Sequence, residues 1–380
     1  MMVVRPGTFE DIASVLSIAS AGGRSVRVAG ASTKLDWGVP APAPDVELHT
    51  TSLDRILEHN AGDLTAVLEA GVPLALAQEV FASASQMLAL DPPLGHGAAR
   101  DATIGGVLAT GDSGPLRHRY GAPRDLVLGV TVALSDGTIA RSGGKVIKNV
   151  AGYDIAKLFA GSFGTLGAIL SVSVRLHPRP PATATALGAC SDARTLTAAA
   201  LALSAAPLEL EALDLAWRGG RGGLLARSGG ADPARRAHRV LGSMRAAGLE
   251  QLDITTDDEP LWARQRGGQR SLKRAIVRVA ARPTVLAEVL AATDRCAGTL
   301  VGRAALGVSY VELDPAAVVT LRSALPAGST SVVLDAPEEL RRTLDPWGPV
   351  SAPALELMRA VKHRFDPAGT CSPGTFAGAI

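Results

Sequence analysis

Gly161-Ser-Phe-Gly-Thr-Leu-Gly167 runs without a break into Ala168-Ile-Leu-Ser-Val-Ser-Val-Arg-Leu176. The second half sets Leu170, Val172, Val174 and Leu176 against Ser171, Ser173 and Arg175, a period of two that reads as a half-buried strand stopping at Pro178. In the first half three glycines recur at intervals of three, each free to take positive φ and none with a Cβ to hold a ligand away. A glycine turn therefore feeds a strand. Its G-x-x-G-x-x-G spacing is not the G-x-G-x-x-G of a Rossmann dinucleotide site.

Three more glycine segments lie upstream: Arg27-Val-Ala-Gly-Ala-Ser-Thr-Lys34, Thr103-Ile-Gly-Gly-Val-Leu-Ala-Thr-Gly-Asp-Ser-Gly114 and Lys148-Asn-Val-Ala-Gly-Tyr-Asp154. Most couple glycine with small hydroxyl residues, so that backbone N–H groups and hydroxyls can approach a phosphate closely. No G-x-x-x-x-G-K-[ST] occurs, which excludes a P-loop nucleotidase.

Between these segments strands alternate with short helices. Thr8 to Asp11 has the form of a helix start, with Ile12, Val15, Leu16 and Ile18 at helical spacing behind it. Strands are expected at 25–29, 46–49 and 63–70, a helical turn at 53–57, and a helix over 74–82 with Pro73 at its first position. Leu126 to Leu134 alternates and is followed by Asp136-Gly137, a hairpin signal. The proline-bearing tract 178–186 marks a domain boundary. Beyond it helical stretches (195–206, 233–248, 283–298) interleave with strand-like runs (275–280, 306–313), Gly219 to Gly230 reads as a hairpin or loop, and a last helix spans 354–365.

The 380 residues suffice for two to three domains. Lys plus Arg at 38 against Asp plus Glu at 36 leaves a net charge of +2, which supplies no field for a polyanion, and aromatics at 3% build no stacking platform, so nucleic acid is not an expected partner. Cys190, Cys296 and Cys371 stand far apart, so they assemble neither an iron–sulfur cluster nor a thiolate zinc site, and a reducing, cytoplasmic address fits. No signal peptide or membrane span is read, and the seven histidines show no metal-ligand spacing, so no metal is expected.

Order and wording of the glycine segments resemble the FAD-binding fold of the vanillyl-alcohol oxidase (PCMH-type) superfamily, and within it the FAD-binding (E) subunits of bacterial glycolate oxidases. The matches are Ser113-Gly-Pro-Leu-Arg117, Arg124-Asp-Leu-Val-Leu-Gly129, Lys148 to Asp154, Gly161 to Ile169, and the tail Phe365-Asp-Pro-Ala-Gly369 with Ser372-Pro-Gly374. They cover roughly residues 5–178 and 355–376. The resemblance implies an α+β chain: a two-part FAD-binding domain over 1–178, a smaller α+β cap or substrate domain over 179–350, and a C-terminal segment, 351–380, returning to the FAD domain.

The resemblance further implies that Gly30, Ala31, Ser32, Thr33 and Lys34 cradle the FAD pyrophosphate. Thr103, Ile104, Gly105 and Gly106, with Gly111, Ser113 and Gly114, would line pyrophosphate and isoalloxazine; Gly161, Gly164, Thr165, Gly167 and Ile169 would hold the adenine-side ribose and the ring edge. Lys148, Asn149, Gly152 and Asp154 belong to the third segment beside the cofactor. Each backbone hydrogen bond to a charged oxygen is worth about 1.5–3 kcal/mol, so a handful suffices for nanomolar retention near about −12 kcal/mol. Members with covalent flavin carry histidine where this chain has Ala31, so the FAD is expected to be noncovalent.

Oxidising a 2-hydroxy acid at a flavin needs a cation for the carboxylate and a base for the hydroxyl proton. Arg264, in Trp262-Ala-Arg-Gln-Arg266, is the candidate cation; Tyr153 and His96, the latter in Pro93-Leu-Gly-His-Gly97, are candidates beside the ring. The expected partners are a small 2-hydroxy acid substrate such as glycolate, a second flavin subunit and an iron–sulfur subunit, with membrane association only through those partners. A non-catalytic FAD-containing assembly subunit and a free-standing FAD-dependent oxidase remain alternatives.

Overall fold

The computed structural model describes residues 1–95, 101–145 and 153–380. It is mixed α and β, and the chain divides into two compact units: residues 1–113, 121–179 and 349–380 form the first, and residues 114–120 and 180–348 the second.

Two main sheets build the first unit. One is parallel, with Val46–His49 between Met2–Val4 and Val26–Ala29. The helix Phe9–Ala21 crosses over it, started by Thr8, whose Oγ1 accepts the Asp11 N–H at 3.1 Å as its sequence implies. The other sheet is antiparallel, in the order Ile56–Asn60, Thr65–Glu69, Ala168–Arg175, Val127–Ala133, Ile139–Gly143. Its last two strands are the expected hairpin: Gly137 takes φ +87°, and Asp136 accepts the Thr138 N–H at 2.8 Å. One buried cluster, with Ile12, Leu16, Val26, Leu48, Leu53 and Leu170 among its members, joins the helix to both sheets.

The expectation of a helical turn at 53–57 is corrected, since Ile56–Asn60 is a strand paired with Thr65–Glu69. Pro73 stands one position earlier than expected, as the N-cap of Leu74–Ala82. The C-terminal helix Ala352–Phe365 belongs to the first unit, and the chain beyond it returns along the parallel sheet. There the Val26 N–H donates to Thr370 O at 2.8 Å and the Ser372 N–H to Val26 O at 2.7 Å.

The second unit is one eight-stranded sheet, in the order Glu250–Thr255, Ala182–Cys190, Arg221–Gly230, Leu210–Arg218, Thr299–Arg303, Val308–Leu313, Ala275–Ala280, Thr330–Asp335. Helices Ala193–Ala205, Pro233–Ala246, Leu286–Arg295 and Val318–Ala324 carry residues of its main core, including Leu196, Leu203, Val240, Leu290 and Leu321. Gly219 and Gly220, at φ +56° and +74°, turn the hairpin between Leu210–Arg218 and Arg221–Gly230. Among the described residues no helix is long and apolar enough to cross a membrane.

A separate, smaller cluster seats Trp262, fully buried on the helix Glu259–Gly267, against Ala212 and Leu225. The Asp258 carboxylate beside it accepts from Thr183 at 3.0 Å, Thr185 at 2.9 Å and Arg227 at 2.9 Å, and the Trp262 indole N–H donates to Thr185 at 2.8 Å. Asp258→Ala leaves the Arg227 guanidinium, which is 16% exposed, with only Glu259 at 3.7 Å as counter-charge and unpairs Thr183 and Thr185, so about 3 kcal/mol of stability is expected to go. Chemical denaturation of the full chain reads this directly, and an unchanged midpoint would refute it.

Candidate functional site

The loop after the strand Val26–Ala29 is built for close approach. A Cβ on Gly30 would fall 2.3 Å from Thr103 Oγ1, so glycine is required there by packing alone. Ser32 follows in the left-handed region at φ +61°. Among the described residues no hydrogen bond is made by the N–H groups of Gly30, Ala31 and Ser32, and none of the three residues is buried. A left-handed residue behind glycine, with adjacent free N–H donors, is a backbone nest for an anion. Lys34 is different: its ammonium is buried and lies 3.1 Å from Asp112 Oδ2, and it also reaches Pro93 O at 3.4 Å. Its charge is balanced inside the protein and pins the loop to the turn that precedes Ser113.

The second segment spends its donors internally. Thr103 caps the helix Ile104–Thr110 by accepting the Gly106 N–H at 3.2 Å, while the Ile104 N–H goes to Val72 O and the Gly105 N–H to Ala70 O. A Cβ on Gly105 would sit 2.7 Å from Ala70 Cβ. Gly105 thus sets helix–strand contact; it and Ile104 are buried, and the N–H groups of Ile104, Gly105 and Gly106 are all spent inside the protein. Gly111 ends that helix at φ +63°. Gly114 falls in the second unit, where the buried Arg303 guanidinium donates to its carbonyl at 2.9 Å.

The loop Gly161 to Gly167 docks onto the end of the same helix through Gly161 N–H to Leu108 O at 2.9 Å and Phe163 N–H to Ala109 O at 2.8 Å. Gly161 has φ +79° and nothing within 4 Å of its missing Cβ, so open space stands over it. Gly164, at φ +72°, faces Ser372 Oγ at 3.2 Å, and Gly167, at φ +141°, would clash with Ala133 O at 2.6 Å. Thr165 and Ile169 are buried.

Lys362 closes this arrangement. Its ammonium donates to Thr165 O at 2.7 Å, Cys371 O at 2.8 Å and the Asp366 carboxylate at 2.5 Å. Asp366 in turn accepts the N–H groups of Thr370 and Cys371 at 3.0 and 2.8 Å. Neither residue stands out in the glycine segments; the only signal was a lysine four positions before the aspartate at a helix end. Burial, with the Asp366 charge adding to it, pushes the Cys371 thiol up to about 12, so it stays protonated and inert.

Asp154 is at the surface in a 2.8 Å pair with Lys157, and Tyr153 is 93% exposed. His96, Lys148, Asn149 and Gly152 lie outside the described residues. Arg264 is on the helix Glu259–Gly267 of the second unit, exposed, and makes no ion pair among the described residues. Among those residues no group of three His, Cys, Asp or Glu side chains is placed to hold a metal ion.

Residues 1–143 match the family model described as an FAD binding domain. The chain is similar to glycolate oxidase subunit GlcE of Escherichia coli, 37% identical over 157 residues (41% of this chain, 43% of the relative), and to glycolate oxidase subunit GlcD of Bacillus subtilis, 33% over 215 residues (56% and 45%). D-lactate dehydrogenase of Archaeoglobus fulgidus is 34% identical over 178 residues (47% and 39%). The aligned part is less than half of each of these relatives. Among solved structures, alkyldihydroxyacetonephosphate synthase superposes with a TM-score of 0.72 at 13% identity, over 98% of this chain and 77% of that one.

Bound FAD fits the free donors at 30–32 and the open space over Gly161. Gly164→Val puts a β-branched side chain at a positive φ and against Ser372. It is expected to lower flavin retention at least tenfold, read as flavin absorbance per chain after gel filtration, and full occupancy would refute the placement of that loop. Residues 1–143 thus match an FAD binding domain, in a chain that shares the fold of alkyldihydroxyacetonephosphate synthase.

Proposed function

We propose that this chain is a flavoprotein oxidoreductase subunit that holds FAD noncovalently and takes part in oxidising glycolate, or a similar small 2-hydroxy acid, to the 2-oxo acid. The observation that carries the reading is the run of N–H groups from Gly30 to Ser32 that have no partner among the described residues, inside a matched FAD binding domain. In this reading those donors take the pyrophosphate, and Gly161 and Gly164 take the chain of the cofactor closely. Ala31 offers no attachment point, and the three cysteines are buried outside the loop, which supports a noncovalent cofactor. FAD supplies a two-electron acceptor for the hydride that leaves Cα.

Arg264 is the group for the substrate carboxylate, because its guanidinium is accessible and not already balanced. The hydroxyl proton must go to a base, and Tyr153 and His96 are this reading's candidates for it. Electrons then leave the chain. Its cysteines are single and buried, so no cluster is ligated by them, and the reading requires a partner. That two relatives are glycolate oxidase subunits supports a multi-subunit complex; the second flavin subunit, the iron–sulfur subunit and a cytoplasmic or partner-borne membrane address are this reading's own expectations.

Acid precipitation of the purified yellow protein is expected to leave the flavin in the supernatant; colour in the pellet would overturn the noncovalent bond. Anaerobic addition of glycolate, D-lactate and L-lactate should bleach the flavin band with at least one of them. Arg264→Met should raise the concentration needed for half-bleaching on the order of ten- to a hundredfold, the loss of one charged hydrogen bond. Rapid peroxide-forming turnover without partners would overturn the subunit role.

A further inference from the structure

The helix Pro233–Ala246 packs on the strands Ala182–Cys190, Arg221–Gly230 and Glu250–Thr255 of the second unit's sheet. One side of it is spent on the core, where Pro233, Ala237, Val240 and Met244 are buried. The opposite side is cationic. Arg235, His238, Arg239 and Arg245 are all exposed, and the helical repeat sets them on one arc turned away from the sheet. Ten residues separate Arg235 from Arg245, so the arc runs for about 15 Å.

No acidic residue occurs between 233 and 246, in a chain whose 38 basic and 36 acidic residues nearly balance. Among the described residues Arg236, on the flank of the helix, pairs with Glu209 at 3.1 Å, whereas Arg235, Arg239 and Arg245 make no ion pair. The flanking acid Asp232 is spent as the N-cap, accepting the Arg235 N–H at 3.1 Å, and the next acid, Glu250, stands on the edge strand. The helix Ala193–Ala205 buries residues in the same core and also has no acid within it. Arg194, Ala198, Ala202 and Ala205 are its exposed positions, so apart from one more arginine its outward side chains are short and leave a flat surface room to reach the neighbouring arc.

The chemistry of the arc selects its partner. It exposes no apolar or aromatic side chain to anchor a folded protein and no ring on which a base could stack. A bilayer needs neither, because headgroup phosphates are dense, mobile and without fixed register, and charge alone holds a basic helix against them. We propose that the helix Pro233–Ala246 rests on the anionic headgroups of a lipid bilayer, with Arg235, Arg239 and Arg245 against lipid phosphates. The helix adsorbs and does not insert, since its apolar side is already committed to the protein core. This gives the chain a membrane address of its own, one that rests neither on a partner subunit nor on the oxidoreductase reading.

Sedimentation of the full, flavin-loaded chain with vesicles tests it. The protein should pellet with phosphatidylcholine vesicles that contain phosphatidylglycerol, stay in solution with phosphatidylcholine alone, and leave the pellet as salt is raised. Each guanidinium at an anionic surface tightens adsorption about fivefold, so Arg235→Gln, Arg239→Gln and Arg245→Gln together should weaken it on the order of a hundredfold, with flavin content and thermal midpoint unchanged. Removing three charges elsewhere, by Arg5→Gln, Arg24→Gln and Arg364→Gln on the first unit, should leave adsorption in place. No preference for anionic over neutral vesicles in the unaltered chain overturns the proposal, as does a loss that both triple variants share. Polyglutamate that binds through the three arginines while vesicles do not would assign the arc to an acidic protein surface and overturn the bilayer. A chain that adsorbs as expected but whose flavin no hydroxy acid bleaches keeps this face and loses the oxidoreductase reading alone.

Discussion

The first unit depends on one ammonium group. Lys362 has three donors, and each goes to a different stretch of chain: the carbonyl of Thr165 in the glycine loop, the carbonyl of Cys371 in the returning tail, and the carboxylate of Asp366 between them. A lysine that is 12% exposed has little water to fall back on, so all three bonds must form together. Asp366 is fully buried and has its own second duty, holding the turn of the tail through two backbone N–H groups. Around this pair Phe159 meets Phe365 edge to face at 5.7 Å, and the tail adds a parallel bridge at Val26. The loop 161–167 is therefore positioned by residues some two hundred positions later in the chain.

That dependence explains why the glycines of the candidate site are not alike. Gly30, Gly105 and Gly167 are demanded by contact: a Cβ on any of them would run into protein atoms at 2.3 to 2.7 Å. Gly161 is demanded by nothing nearby except its backbone angle, and it is the one with open space above it. A glycine-rich segment read from sequence merges these two cases. Only hydrogen-bond bookkeeping separates them, and it divides the two upstream segments. Among the described residues the N–H groups of the loop at 30–32 have no partner, whereas the helix start at 104–106 has given its own to Val72, Ala70 and Thr103.

Val127–Ala133 and Ala168–Arg175 were legible as strands from their alternating sequence, but both are buried along most of their length, Ser171 included, so the expected half-burial is corrected; Asp136-Gly137 made their hairpin neighbour readable. Ile56–Asn60 was not, because its residues carry no clean alternation and its strand state comes from pairing with Thr65–Glu69 across a short turn. Ala182–Cys190 hid for the same reason. It is rich in alanine and carries Gly188, residues depleted in strands, and is held in place by two neighbours. In the candidate site the glycine loops were readable from local wording, whereas Lys34–Asp112 and Lys362–Asp366 were not, since a charge pair announces neither its burial nor its partner.

The second unit meets a related constraint by the opposite means. Its main core is apolar, yet the helix that carries Arg264 is seated by a small apolar cluster and a dense polar one. Trp262 needs a partner for its indole N–H once buried, Thr185 provides it, and Asp258 then fixes Thr185, Thr183 and Arg227 in a single carboxylate-centred network. Such a network has one geometry, unlike an apolar contact that can slide. The helix is thereby held in register on the sheet, and the place of its exposed Arg264 guanidinium is set by residues that take no part in the chemistry.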